Sequence, residues 1–222
     1  MTTTRRLALI AGILYLVTFA TSIPALALKS PFLDGATTDP VALRWAVVLE
    51  LVLAIACVGT AAALLPIVRR GDEALAVGFV ASRTIEAAII VMGVLALLAI
   101  ATLGDAAASP ALVALHDWAF LLGPGILPAI NAMLLAPALL RARLVPSAIP
   151  IVGLVGAPLL LASAGATLFG AVDQVSSVAA LLAAPIALWE ASLGVWLVVR
   201  GVRDDPRPVA APVDARAGML GG

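Results

Sequence analysis

The sequence predicts an all-α membrane protein, a bundle of six transmembrane helices. Of its 222 residues, 63% are hydrophobic and 12% are charged, and the mean hydropathy is +1.16. The polar residues are therefore too few to cover a soluble surface. In addition, six apolar stretches each provide the roughly 20 helical residues that a hydrocarbon core of about 30 Å requires.

Short segments rich in turn-forming residues separate these stretches. We place the spans near residues 6–28, 41–68, 73–103, 110–140, 147–170 and 177–200. Asp39-Pro40 and Ser109-Pro110 are typical of helix starts, because proline is preorganised for the first helical position. The predicted domains are a transmembrane domain, 1–200, and a disordered cytoplasmic tail, 201–222, whose composition cannot bury apolar surface.

Arginine placement predicts that both termini are cytoplasmic, because Lys and Arg in short loops are retained on that side. With the N-terminus inside, ten of the 13 basic residues are cytoplasmic: Arg5, Arg6, Arg69, Arg70, Arg141, Arg143, Arg200, Arg203, Arg207 and Arg216. Lys29 and Arg44 fall at the outer side, and Arg83 falls within a span. The alanine-rich, lysine-poor composition indicates a high-GC bacterial genome, so the predicted location is the bacterial cytoplasmic (inner) membrane, multi-pass.

The first span has a second interpretation. Arg5-Arg6, the apolar run and Ala25-Leu-Ala27 resemble a cleavable signal peptide. The run from Leu7 to Ile23 is longer than a usual signal-peptide core, which favours a retained helix. The other five spans keep their orientation in either case.

Several classes of function are disfavoured. The basic residues are dispersed and the formal net charge is zero, so no nucleic-acid partner is expected. Cys57 is the only cysteine, which excludes an internal disulfide. One histidine and the absence of a Glu-x-x-His spacing lead us to predict no metal and no cofactor. The expected partners are membrane lipids and a small amphipathic ligand, and a homo-oligomer is compatible with the sequence.

Polar side chains inside the spans are the main functional signal. These residues are Glu50, Arg83, Glu86, His116, Asp117, Asn131 and Glu190. A charge facing lipid at the centre of a span costs about 2.5–3.5 kcal/mol, so they are expected to face one another or water. Their positions run from the membrane centre to the outer side, which predicts a cavity that opens outward.

The charges in this set do not balance. Arg83 and Glu86 are three residues apart on one helix face and can form a structural ion pair. The four acids outnumber one arginine and one histidine. We therefore expect that some acids are protonated, that water enters, or that a cation binds.

The fourth span combines polar groups with helix breakers. Gly123-Pro124-Gly125 predicts a kink, because proline removes a backbone hydrogen bond and glycine permits an unwound turn. On an unbroken helix Asn131 would project within about 60° of both His116 and Asp117. Trp118 is interpreted mainly as a packing or interface anchor.

Several motifs together carry a resemblance: Arg83-Thr-Ile-Glu86, His116-Asp-Trp118-Ala-Phe, Gly123-Pro124-Gly125 and Leu188-Trp189-Glu190. They resemble the bacterial integral membrane proteins of domain of unknown function family 4386, over nearly the whole chain up to about Arg200. The resemblance implies a small, self-contained helical bundle. It brings no activity, cofactor or catalytic residue with it.

The leading hypothesis is a buried polar pocket that binds a small amphipathic or lipid-like molecule, with acid–base conversion as an option. The catalytic residues in this hypothesis are His116, Asp117 and Glu86, and the ligand-binding residues are Arg83, Glu50, Asn131, Glu190 and Trp118. Whether the protein is an enzyme stays open. The alternatives are a proton-linked or small-solute transporter, and a structural or regulatory membrane subunit in which the charges only pair.

Overall fold

The computed structural model describes residues 1–36, 39–103 and 109–203, and the secondary structure of these residues is helical. The helices are α1 (Thr3–Leu33), α2 (Pro40–Val68), α3 (Glu73–Leu103), α4 (Pro110–Leu122), α5 (Leu127–Arg141), α6 (Ala148–Leu168) and α7 (Ser177–Val199). α4 and α5 are the two halves of one span, so six segments are long and apolar enough to cross a membrane. The predicted all-α class with six spans is confirmed, and the chain is a multi-pass integral membrane protein.

Six alternating spans give the bundle two distinct ends. The terminal face carries the N-terminus, the turns at 69–72 and 142–147, and the end of α7. The opposite face carries the end of α1, the start of α2, the end of α3, the start of α4 and the connection at 169–176. α5 lies in the half of the bundle near the terminal face, and α4 lies in the half near the opposite face.

The helices form a ring in the order α1, α2, α3, α4/α5, α6, α7, and α7 packs back on α1. In the terminal half α5 closes this ring, because it packs against both α3 and α6. In the opposite half α4 packs chiefly against α3. The ring is therefore tighter in the terminal half than in the opposite half.

Side-chain caps fix several helix ends. The Asp39 carboxylate accepts from the amide of Val41, at 2.9 Å, next to Pro40 at the first helical position. At the terminal face the Arg5 guanidinium donates to the carbonyls of Leu197 (2.7 Å) and Val198 (2.6 Å). These carbonyls lie in the last turn of α7, where no intrahelical donor remains. Arg5 thus ties the first helix to the last.

α1 is longer than predicted, and this changes the position of Lys29. The sequence placed a loop from Lys29 onward, but the helix continues through Pro31 to Leu33. Proline lacks an amide hydrogen but still has a carbonyl, and here the amides of Asp34 and Ala36 donate to the carbonyls of Ser30 and Pro31. Lys29 is therefore buried in the bundle instead of lying in an outer loop.

Glycines permit the closest helix contacts. A Cβ on Gly12 of α1 would lie 2.7 Å from the carbonyl oxygen of Gly194 on α7. A Cβ on Gly153 of α6 would lie 2.7 Å from the Trp189 ring, also on α7. Small residues allow such approach where lipid offers no hydrophobic drive for association.

The packed chain continues past α7. Gly201 is buried with φ +75°, and the Arg203 amide donates to the Leu144 carbonyl at 3.0 Å. Residues 201–203, which were predicted to begin the disordered tail, therefore lie against the bundle. The rest of that predicted tail, 204–222, lies outside the described residues.

Candidate functional site

The buried polar side chains form two separate clusters. The central network consists of Arg83, Glu86, Asn131 and Glu190, from α3, α5 and α7. The Lys29 cluster consists of Lys29, Glu50, His116 and Phe120, from α1, α2 and α4. The sequence grouped most of these residues in one pocket, whereas the structure divides them.

Arg83 is the centre of the central network and is 1% exposed. One terminal nitrogen donates to the Glu86 carboxylate at 3.0 Å, and the other donates to the Glu190 carboxylate at 3.0 Å. Sequence spacing predicted the first contact. The second contact joins α3 to α7 and depends on the fold. One guanidinium therefore bridges two carboxyl groups.

Asn131 completes this network from α5. Its amide nitrogen donates to the same Glu86 oxygen that accepts from Arg83, at 2.7 Å. Within the four side chains of this network two buried polar atoms lack a hydrogen-bond partner, the Arg83 Nε and the Asn131 Oδ1. An orphaned buried donor or acceptor costs free energy, and an ordered water is its usual partner.

Aromatic rings and a thiol enclose the guanidinium. Its central carbon lies 5.1 Å from the centre of the Tyr15 ring and 6.0 Å from that of Phe79. The Cys57 sulfur accepts a long hydrogen bond from Arg83 at 3.6 Å. Cation–π attraction is strongest where water is excluded. The central network is therefore a closed structure with contributions from five helices.

The Lys29 cluster forms because two side chains on antiparallel helices lean toward each other. Side chains in a helix tilt toward its N-terminus. Lys29, near the end of α1, therefore leans into the bundle, and Glu50 on α2 leans toward the opposite face. The Lys29 ammonium forms a buried ion pair with the Glu50 carboxylate. The same ammonium lies 4.5 Å from the centre of the Phe120 ring.

His116 lies beside this ion pair, and its hydrogen bond defines the tautomer of its imidazole. Its Nδ1 lies 3.2 Å from the Gly93 carbonyl oxygen, which can only accept, so Nδ1 carries a hydrogen. A neutral His116 then keeps its lone pair on Nε2. The imidazole also stacks on Phe120, with 6.5 Å between ring centres.

Two cavities meet at α4. A cavity of about 40 Å³ is lined by Lys29, Glu50 and His116, and it is large enough for one or two waters. A larger groove of about 510 Å³ lies among α1, α4, α6 and α7, and we call it the α4 groove. Phe120 and Pro124 line both cavities. The Lys29 cluster therefore adjoins the α4 groove.

The helix interruption that separates α4 from α5 shapes this junction. The helix ends at Leu122 and resumes at Leu127, so the interruption contains Gly123-Pro124-Gly125. The Gly125 amide donates to the Phe120 carbonyl, which widens the last turn. A Cβ at Gly125 would overlap the Leu121 backbone, so only glycine fits. The interruption lies at the junction of both cavities.

Two predicted site residues lie apart from both clusters. Adjacent helix residues project about 100° apart, and on α4 His116 projects into the bundle whereas Asp117 projects away from it. Asp117 is exposed in a shallow hollow with Asp34 and Pro110, and the prediction that it is buried is wrong. Trp118 is 48% exposed on the outside of the bundle. His116, Asp117 and Glu86, predicted to act together, are not brought together.

Lys29 is a buried residue of the candidate site that the sequence did not predict. Its signal was the only lysine in the chain, four residues before the end of an extended apolar helix. With Lys29 included, the described residues bury three acids, Glu50, Glu86 and Glu190, against Lys29 and Arg83. Within the described ranges no three His, Cys, Asp or Glu side chains converge closely enough to hold a metal ion.

Comparison with known proteins identifies a family but no activity. Neither the curated proteins nor the solved structures contain a significant match to this chain. The family described as Domain of unknown function (DUF4386) matches residues 10–201. This match covers both polar clusters, the helices α2 to α7, and α1 from its third turn to its end. The chain therefore belongs to the DUF4386 family of membrane proteins.

Proposed function

We propose that the protein binds an uncharged amphipathic or lipid-like molecule in the α4 groove. The observation that carries this proposal is the groove itself, a space of about 510 Å³ beside a buried polar cluster. Its volume is within the range of ordinary ligand pockets. Its position between membrane-spanning helices suits a ligand that enters from the lipid.

The lining of the groove favours an uncharged ligand. One part is apolar and includes Leu26, Leu160 and Ala183. The polar part is formed by neutral groups: Ser163, Thr167, Gln174, Ser176 and Ser177. Hydroxyl and amide groups pair well with a ligand hydroxyl or carbonyl. A phosphate would need a free cation, and Lys29 is already paired with Glu50.

Acid–base conversion of the ligand is a narrower form of this proposal. It would rest on His116, whose Nε2 is the available proton acceptor beside the groove, with the Lys29–Glu50 pair nearby. Glu86 lies in the central network and Asp117 at the surface, so neither supports it. His116→Ala should then abolish turnover of a bound ligand while binding persists.

Native mass spectrometry of the purified protein tests the binding proposal. We expect a co-purifying uncharged amphiphile on the wild type and its loss from Ala180→Trp, because Ala180 is exposed and lines the groove. Leu181→Trp is the matched control on the next residue of α7. Leu181 is 74% exposed and does not line the groove, so the ligand should remain. Equal occupancy in both variants would refute the proposal.

The helix interruption favours proton-linked or small-solute transport as a second candidate. Non-helical backbone at membrane depth is typical of transporter sites, where it lines a cavity. In this candidate residues 123–126 act as a hinge beside the groove, and Glu50 in the Lys29 cluster and Glu86 and Glu190 in the central network are the candidate proton carriers. Reconstituted liposomes with no response to a pH gradient would count against it.

For the central network alone, the pairing of charges favours a structural role. Arg83 ties α3 to α7, and Asn131 ties α5 to the same site. This cluster can therefore fix helix packing while the α4 groove binds the ligand.

We also propose that the protein lies in the bacterial cytoplasmic membrane with its terminal face in the cytoplasm. Lys29 and Arg83 are buried, so Arg44 is the one basic residue on the described opposite half that is exposed. The exposed basic residues are therefore concentrated on the terminal face, which favours cytoplasmic termini. A membrane-impermeant thiol reagent should label a cysteine at Arg44 in intact cells and spare one at Arg70, with Cys57 replaced. The reverse pattern would invert the orientation.

A further inference from the structure

The central network has one carboxyl group more than it has cations. Arg83 supplies one positive charge between Glu86 and Glu190. The other groups that face it are Tyr15 on α1, Cys57 on α2 and Asn131 on α5. In the described part of the chain no second cation is paired with either carboxyl group. If both were ionised, the network would hold one uncompensated negative charge.

An uncompensated charge is unfavourable in this environment. Arg83 is 1%, Glu86 4% and Glu190 9% exposed, so little water can reach the charge. Buried charges persist when they are paired, and otherwise the group neutralises. A bound proton removes the excess and needs no additional space. We propose that the central network is a proton-binding site. It binds one proton, which resides on the Glu190 carboxyl group, while Glu86 stays ionised beside Arg83.

The hydrogen-bond pattern assigns the proton to Glu190. Glu86 accepts two hydrogen bonds on one oxygen, from Arg83 and Asn131, and each stabilises its ionised form. Glu190 accepts one, from Arg83. Its side chain is also the more exposed of the two, 12% against 5%, so its proton has the easier route for exchange.

The surroundings favour a proton over a metal cation. A hard cation requires several oxygen ligands directed at one point. Here three N–H groups, two from Arg83 and one from Asn131, point at the carboxylate oxygens. The buried Arg83 Nε–H is a further donor at the same place, and the Asn131 Oδ1 is a buried acceptor without a hydrogen-bond partner. These donors occupy one oxygen of each carboxyl group, and the positive ends of their N–H bonds repel a cation.

Infrared spectroscopy of the protein in lipid detects the proton, because a protonated carboxyl has a C=O stretch that a carboxylate lacks. We expect one buried carboxyl band at neutral pH in the wild type and its loss in Glu190→Gln. Arg83→Gln should double the intensity of the band, because Glu86 and Glu190 both lose their cation and both become protonated. Glu50→Gln is the control and should leave the band unchanged, since Glu50 is paired with Lys29.

Conservative variants assign the carrier. Glu190→Asp should keep the band at a shifted frequency, and Glu86→Asp should keep it at the wild-type frequency. A wild type without the band, a band that persists in Glu190→Gln, or thermal stability that depends on sodium at constant ionic strength would each overturn the proposal. Glu190→Gln replaces one neutral group by another of the same shape, so the variant should fold. Loss of the band in this variant can then be attributed to the missing carboxyl group.

Discussion

The two halves of the bundle differ in how tightly the same helix packs. α6 runs from the terminal face to the opposite face, with glycines at 153, 156 and 165. A Cβ at Gly156 would lie 2.8 Å from the Ile186 amide nitrogen, whereas a Cβ at Gly165 would meet nothing within 4 Å. Beside Gly165, Ser163 and Ala164 line the α4 groove. α6 therefore packs tightly against α7 near the terminal face and borders the α4 groove near the opposite face.

The polar clusters follow this division. The central network is enclosed by five helices, and its charged side chains pair with one another. The Lys29 cluster contacts a small cavity and, through Phe120, the α4 groove. Buried charge alone therefore does not locate a binding site in this protein. The useful signal is buried charge beside space that a ligand can occupy.

The largest stability effect should follow the loss of the cation in the closed half. Arg83→Leu leaves two buried carboxyl groups without their partner, and breaking a buried pair costs about 3–5 kcal/mol. Thermal unfolding in detergent measures this loss. Arg141→Leu is the control, since its bond to Asp72 is at the surface and such pairs contribute about 0–1 kcal/mol. Equal effects of the two changes would contradict the closed network.

A smaller loss should follow the same type of change in the open half. Lys29→Met leaves Glu50 unpaired, but the cavity that Glu50 lines can admit water, so the loss should fall below the value of about 3–5 kcal/mol for a fully enclosed pair. Adding Glu50→Gln removes the orphaned charge, so the double variant should be more stable than Lys29→Met alone. A double-mutant cycle by thermal unfolding checks this. Additive losses would mean that the two side chains do not interact.

The glycines of α6 should give the smallest and most local contrast. Gly156→Ala overpacks the contact with α7, at a cost of about 1–3 kcal/mol. Gly165→Ala fills open space in a helix and should be neutral or stabilising by up to about 1 kcal/mol. Unfolding midpoints of the two variants provide the comparison. Similar destabilisation by both would show that α6 packs uniformly.

The sequence predicted the spans well because each depends on local hydropathy and turn chemistry. It also predicted the Arg83–Glu86 pair, since a spacing of three residues on one helix suffices. The partner of Arg83 on α7, Glu190, is 107 residues away and depends on which helices become neighbours. Sequence periodicity does not contain that information.

Lys29 and Asp117 illustrate two further limits of sequence interpretation. Lys29 was placed in a loop because it begins the turn-rich segment Lys29-Ser-Pro-Phe-Leu-Asp-Gly35, but the helix continues to Leu33. Asp117 was grouped with His116 and Asn131 by their projection on an unbroken helix, but the helix is interrupted after Leu122 and Asp117 is exposed. The α4 groove arises from the weak packing of α4 against α6 and α7, a property of the assembled bundle.

Hydrogen–deuterium exchange in lipid nanodiscs tests the division of the bundle most directly, with and without an uncharged long-chain monoacylglycerol. Without ligand, we expect faster amide exchange in 110–126 than in 127–141, since α4 packs chiefly on α3 whereas α5 also packs on α6. The ligand should slow exchange in 110–126 and 163–183, and leave 79–90 and 127–141 unchanged. Equal exchange in α4 and α5, or protection centred on Arg83, would contradict a closed half that stabilises and an open half that binds.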